Sequence, residues 1–210
     1  MISDSWLQLL TQNRAIAVIR TPHYDLGWQM ANAVAKGGMR LIEVTWDSDR
    51  APELIARLRE AYPDCVIGTG TVLTVEALDK ALAAGTQFAF SPFANPEMIA
   101  FANSQGIPLV PGALTPTEIL QAWQAGAKTI KVFPVSALGG ANYIQSLQDP
   151  LKGIPLIPTG GVTMSNAKSM LKAGAIAVGL SGSLFPKKAI ETGDWEIVQM
   201  VARRLVKLLT

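Results

Sequence analysis

The sequence predicts a (β/α)8 barrel with a leading N-terminal helix, residues 1–210 forming one domain. A helix-glycine-strand phrase recurs along the chain, as in Ala84-Gly85 before Gln87-Phe88-Ala89-Phe90 and Gly174 before Ile176-Ala177-Val178-Gly179. Eight short apolar stretches read as strands, at 15–20, 41–46, 66–72, 88–92, 108–112, 129–134, 155–161 and 177–182. Their starts are spaced by about 20 to 26 residues, the length of one βα unit. An open doubly wound sheet is the competing architecture, but no Gly-x-Gly-x-x-Gly follows the first strand.

The helices between these strands carry their own punctuation. Thr115-Pro116-Thr117-Glu118 is a capping box with proline at the first helical position, opening a helix over 116–125. Asn95-Pro96-Glu97 has the same logic, and Thr74 and Thr163 are expected caps. Gly37-Gly38, Gly85, Gly106, Gly126 and Gly174 stand just past helix ends, where a left-handed residue is needed. Residues 4–13 form the leading helix and 195–209 the closing one.

Composition narrows the chemistry. Of the 210 residues 49% are apolar and 16% charged, which calls for elements covered on both faces. No apolar run reaches the ~20 residues of a membrane helix, and the first residues lack a signal-peptide pattern. A net charge of +2 without basic clusters gives no support for nucleic-acid binding. Cys65 is the only cysteine, so no internal disulfide forms and a reducing compartment such as the cytoplasm is expected. With His23 the only histidine, a catalytic triad or histidine-rich metal site is excluded, leaving only a hard cation held by oxygens.

The strand over 129–134 holds the most informative residue. Alternation puts Thr129, Lys131 and Phe133 on one face, with Ile130 and Val132 on the other. A lysine inside a covered sheet is costly unless it has a partner or a task, and burial favours the neutral amine that attacks carbonyls. The alternative is an edge lysine reaching water. Reacting groups of a barrel sit at the carboxyl ends of its strands. Those ends offer Arg20, Glu43, Thr69 and Thr71, Ser91-Pro92, Lys131 and Phe133, Thr159-Gly160-Gly161 and Ser181-Gly182-Ser183. Glu43 and Lys131 are inward charges of opposite sign. A structural ion pair is the plain account, yet buried pairs are inefficient stabilisers. Lys128 belongs to a loop and is expected to be solvated. The glycines after strands seven and eight free backbone amides that suit a phosphate, though such sequences also make ordinary turns.

The set Glu43-Val44-Thr45, Gly68-Thr69-Gly70-Thr71-Val72, Ser91-Pro92, Lys131-Val132-Phe133-Pro134 and Pro158-Thr159-Gly160-Gly161 resembles the 2-keto-3-deoxy-6-phosphogluconate (KDPG) aldolases. That family includes the 4-hydroxy-2-oxoglutarate (KHG) aldolases and the 6-phosphogalactonate enzymes, and the likeness spans 15–186. The resemblance implies a class I aldolase acting on 2-keto acids and aldehydes, with a lysine Schiff base, no metal or other cofactor, and a homotrimeric assembly. By position it makes Lys131 the Schiff-base lysine and Glu43 the general acid/base. Thr71 would hold the pyruvate carboxylate and Thr159 line the pocket. Pro92 and Phe133 would pack on substrate, and Gly160, Gly161 and Ser183 would take phosphate. The chain departs from the family where phosphogluconate-type members often carry an arginine. Asp47 stands there, so Arg20 or Arg50 is expected to supply the cation. Ser181-Gly182-Ser183-Leu184-Phe185-Pro186 is also one residue shorter before its proline. A KHG aldolase with an idle phosphate site, and a phosphosugar-binding barrel with little turnover, are the competing functions.

Overall fold

The structure is a computed structural model that describes residues 2–210, with side chains from residue 5 onward. The strands are β1 (Ala15–Ile19), β2 (Leu41–Thr45), β3 (Val66–Gly70), β4 (Ala89–Phe90), β5 (Leu109–Val110), β6 (Gly112–Ala113), β7 (Ile130–Val132), β8 (Leu156–Pro158) and β9 (Val178–Leu180). Helix α1 (Ile2–Asn13) leads into β1. Between the strands run α2 (Tyr24–Lys36), α3 (Ala51–Ala61), α4 (Val75–Ala83), α5 (Pro96–Ser104), α6 (Pro116–Gln124), α7 (Ala141–Gln148) and α8 (Ala167–Lys172). After β9 come α9 (Lys187–Thr192) and α10 (Trp195–Leu209). Among the described residues no helix is long and apolar enough to cross a membrane.

The local signals act as expected in most places. Thr115 Oγ1 accepts the Glu118 amide at 3.3 Å while the Glu118 carboxylate accepts the Thr115 amide at 2.7 Å, closing the capping box. Thr74 and Asn95 cap α4 and α5 through the amides of Ala77 and Met98, each at 3.1 Å. Gly38, Gly85, Gly106, Gly126 and Gly174 have positive φ, whereas Gly37, with φ of −73°, continues the right-handed turn of α2. Thr163 is a correction: Asn166 occupies the N-cap of α8, and its Oδ1 accepts the Thr163 amide at 2.7 Å.

All pairings are parallel, in one sheet of order β5-β4-β3-β2-β1-β9 and another of order β6-β7-β8. The expected fifth strand is split by Pro111, which has no N–H to donate. Leu109 and Val110 pair with β4, while Gly112 and Ala113 pair with β7. One chain segment thus joins the two sheets. The other seam is a Thr159–Gly179 bridge and a hydrogen bond from Ile176 N to Leu156 O at 3.0 Å, in place of a full ladder. Several strands are shorter than the sequence implied, although interstrand hydrogen bonds continue past their ends, as from Val72 N to Phe90 O and from Phe133 N to Ala113 O.

Two cores follow from strand alternation. Trp6, Leu10, Ile16, Leu41, Phe88, Phe90, Val110, Ile157 and Ala177 fill the amino-terminal half of the barrel, and a larger cluster lies between strands and helices. Helix α1 closes the bottom with Trp6, which is 2% exposed. Its Nε1 donates to Thr129 Oγ1 at 3.2 Å, and its ring lies 5.2 Å from Phe88. The interior positions nearer the carboxyl ends are left for other chemistry. Trp6→Ala should cost about 3–5 kcal/mol in urea denaturation, the range for a buried large aromatic. The opposite end of the barrel should keep its activity. A loss within about 0.5 kcal/mol, the scale of surface substitutions, would show that Trp6 is not a structural plug.

Candidate active site

At the carboxyl ends of the strands a cavity of about 460 Å³ opens. The ten residues given a site role from the sequence all line it: Arg20, Glu43, Thr71, Pro92, Lys131, Phe133, Thr159, Gly160, Gly161 and Ser183; Thr69 and Ser91, also offered by strand ends, do not. Glu43 is the central residue of β2, in register with Val18 of β1 and Gly68 of β3. Lys131 is the central residue of β7, in register with Gly112 of β6 and Ile157 of β8. With β5 and β6 taken as two parts of one strand, β2 and β7 stand opposite each other around the ring. The carboxyl and the amine therefore meet the same space from opposite walls.

Glu43 is 2% exposed and Lys131 6%. Among the described residues the ion pairs are Arg20–Asp47, Arg50–Glu53 and Lys187–Glu191, so Glu43 and Lys131 share a cavity without pairing directly. Among the described residues no protein hydrogen bond reaches either group and no polar atom sealed in the interior lacks a partner, so both keep contact with the cavity. Burial raises the Glu43 carboxyl from 4.5 to about 7, against the pull of Lys131 and Arg20. Burial lowers the Lys131 amine; Glu43 draws it back up and Arg20 pushes it further down. The Lys131 Nζ also lies 4.5 Å from the Phe133 ring centroid and 5.9 Å from that of Phe90. These rings exclude water from the amine while offering a weak attraction to its charged form. A less basic amine can act as nucleophile, and a carboxyl titrating near neutrality can both give and take protons.

Thr71 reaches the cavity by breaking the alternation of β3. The glycines at 68 and 70 face inward, where an added Cβ would meet Phe88 and Glu43 respectively. Thr69 faces the other way, its Oγ1 donating to the Val44 carbonyl at 2.9 Å. Thr71 would follow Thr69, but its φ of 59° turns it inward. A β-branched residue in that region is strained, and such outliers gather at functional sites. Thr71 Oγ1 accepts a hydrogen bond from Arg20 Nη2 at 2.8 Å.

Arg20 also resolves the question raised by Asp47. Its Nη1 is ion-paired with Asp47, and the guanidinium spans from that carboxylate to Thr71 at the cavity wall. Asp47 is thus the counterion of a cavity cation. Arg50 stacks 4.5 Å from the Tyr24 ring and pairs with Glu53, away from the cavity. Lys128 is exposed near the bottom of the barrel.

On the far wall Gly160 and Gly161 have φ of 80° and 86°. Val135 and Ser136 donate to the carbonyls of Thr159 and Gly160, and Asn166 to that of Gly161, pinning the segment from outside. No protein acceptor meets the amides of Gly160, Gly161, Gly182 or Ser183 among the described residues. Ser183 Oγ accepts the Met164 amide at 3.0 Å, tying this loop to the one after β8. The two loops form a cluster of unengaged amides suited to an anion.

Sequence reasoning missed other parts of the wall. Thr45 was legible, being two residues beyond Glu43 on an inward face. Gly182, already among the strand-end glycines offered by the sequence, borders the cavity, and a Cβ there would have open space around it. Gly179 leaves room for Thr159 Oγ1, a cross-strand demand that depends on register.

The family model described as "KDPG and KHG aldolase" matches residues 7–201. The chain belongs to the KDPG/KHG aldolase family. The 2-dehydro-3-deoxy-phosphogluconate aldolase of Treponema pallidum is 34% identical over 203 residues, covering 96% of each chain. The KHG/KDPG aldolase of Escherichia coli K12 is 32% identical over 200 residues, covering 95% of this chain and 93% of that one. The crystal structure of the Legionella pneumophila KDPG aldolase, with pyruvate captured as a covalent carbinolamine, superposes with a TM-score of 0.86 at 27% identity. That match covers 94% of this chain and 96% of that one. As a KDPG/KHG aldolase, the chain combines an opposed amine and carboxyl with an arginine reaching the cavity from β1.

The raised Glu43 carboxyl has a consequence for stability. Its folded form holds a proton that the unfolded form releases between pH 4.5 and about 7. Wild-type stability therefore falls as pH rises through that window. Glu43→Gln removes this titration. Its stability relative to wild type should climb across the window, gaining up to about 3 kcal/mol by pH 8. Urea denaturation at a series of pH values reads this; a difference independent of pH would contradict the burial of an ionisable carboxyl.

Proposed function

We propose that this aldolase forms a Schiff base at Lys131 and reversibly cleaves KDPG, or a close 2-keto-3-deoxy-6-phospho sugar acid, to pyruvate and glyceraldehyde 3-phosphate. The observation that carries the reading is the opposition of Lys131 and Glu43 across one cavity, the amine pushed towards neutrality and the carboxyl titrating near 7. The neutral amine adds to the C2 carbonyl, and loss of water from the carbinolamine gives an iminium. That cation takes up the electron pair of the C3–C4 bond as it breaks, leaving the enamine of pyruvate and a free aldehyde. Protonation at C3 and hydrolysis then return the amine. Glu43 shuttles protons at the carbinolamine and at the substrate hydroxyl.

Arg20 and Thr71 are the partners for the substrate carboxylate, the guanidinium supplying charge-assisted hydrogen bonds. Pro92, Phe133 and Thr159 bound the carbon chain. The amides of Gly160, Gly161 and Ser183 take the phosphate, with Gly182 beside them. Residues 1–210 act as one barrel domain. The family resemblance supports a homotrimer, and a cytoplasmic place in carbohydrate metabolism of the Entner–Doudoroff type.

The phosphate distinguishes this reading from KHG cleavage. A charged hydrogen-bonded anchor is worth about 1.5–3 kcal/mol, so kcat/KM for the phospho sugar acid should exceed that for 4-hydroxy-2-oxoglutarate by roughly ten- to a hundredfold. Gly182→Asp tests the cradle with little disturbance, since its Cβ meets no atom within 4 Å. It should remove the preference by repelling phosphate, while proton exchange at the pyruvate methyl stays near wild type. Equal kcat/KM for both substrates in the wild type would overturn the phosphorylated substrate in favour of 4-hydroxy-2-oxoglutarate.

A further inference from the structure

Gly70 ends β3 with backbone dihedrals outside the left-handed region, so its conformation does not demand glycine. What demands it is Glu43. A Cβ built on Gly70 would overlap the Oε1 and Cδ of Glu43 and stand 3.0 Å from its Cγ, and these are its three nearest atoms. Register places Glu43 beside Gly68 and Thr45 beside Gly70. The Glu43 side chain therefore leans towards the carboxyl end of the neighbouring strand and lies over bare backbone at Gly70. Among the described residues no protein hydrogen bond fixes the carboxyl from another side. Its seat is defined by the space that the missing side chain leaves.

We propose that Gly70 is a positioning residue for the aldolase reaction, its bare Cα seating the Glu43 carboxyl so that it faces Lys131. The proposal rests on Glu43 being the proton shuttle. Alanine at 70 is permitted by the backbone but must displace the carboxyl, because nothing else within 3.0 Å of the new methyl can give way. Displacement of about 1 Å is enough to cost roughly a hundredfold in a step that depends on alignment.

The test is a double-mutant cycle on the full-length enzyme, reading deuterium exchange at the pyruvate methyl by NMR together with the urea midpoint. Glu43→Ala should slow exchange by roughly 10²–10⁴-fold. Gly70→Ala should slow it about a hundredfold, by displacing a group that Glu43→Ala removes. The double variant should then exchange at the rate of Glu43→Ala alone, since positioning has no effect once the carboxyl is gone. Its urea midpoint should recover from the lowered value of Gly70→Ala to that of Glu43→Ala. Failure of Gly70→Ala to fold, with the double variant folded, also supports the proposal because it assigns the space to Glu43. A wild-type exchange rate in Gly70→Ala beside a slow Glu43→Ala overturns it alone. So does a double variant slowed by the product of the two single effects, or unfolding of both Gly70 variants. Wild-type exchange in Glu43→Ala instead overturns the role of Glu43, and this proposal with it.

Discussion

Glu43 and Lys131 are held in one low-dielectric cavity without closing into an ion pair, and the site depends on that separation. A tight pair would hold the carboxyl as an anion and the amine as a cation. Apart, each group carries its own desolvation, which moves both away from their charged forms. The ring geometry keeps them apart, with β2 and β7 on opposite walls. The filled amino-terminal half of the barrel stops either side chain from retreating downward. The residual attraction between them is long-range and moderates both shifts.

This arrangement carries a stability cost which the rest of the barrel offsets. Trp6 and the inner aromatic residues pack the bottom, and the strand–helix layer supplies most of the apolar burial. The upper wall is built instead from glycines, threonines and a left-handed Thr71, residues chosen for what they leave open or point inward. Arg20 brings a further positive charge to this wall, and Asp47 balances it from the exposed side. The guanidinium is thereby anchored at both of its terminal nitrogens, by Asp47 and by Thr71.

Much of the fold was legible because its signals are local. A capping box at Thr115 and glycines past helix ends report on neighbours within a few residues, and they hold. The split of the fifth strand was readable in principle from Pro111, but its two-sided pairing required the ring. Thr163 failed as a cap because Asn166, three residues on, takes the position and turns its side chain back. In the site, the ten residues given roles line one cavity, whereas Thr69 and Ser91, offered by the same strand ends, do not. What strand parity missed depends on register or backbone sign. Thr71 enters the cavity against its parity, Gly70 makes room for a side chain of the adjacent strand, and Arg20 finds Asp47 twenty-seven residues away. None of these has a signature along the chain.

The central claim is that Lys131 is the amine that bonds to the keto acid. Borohydride reduction in the presence of pyruvate, followed by peptide mass spectrometry, tests it most directly. The account predicts one reduced three-carbon adduct, on Lys131, that is absent from Lys131→Arg because a guanidinium stays protonated. An adduct on Lys128 or another surface lysine, with Lys131 unmodified, would contradict it.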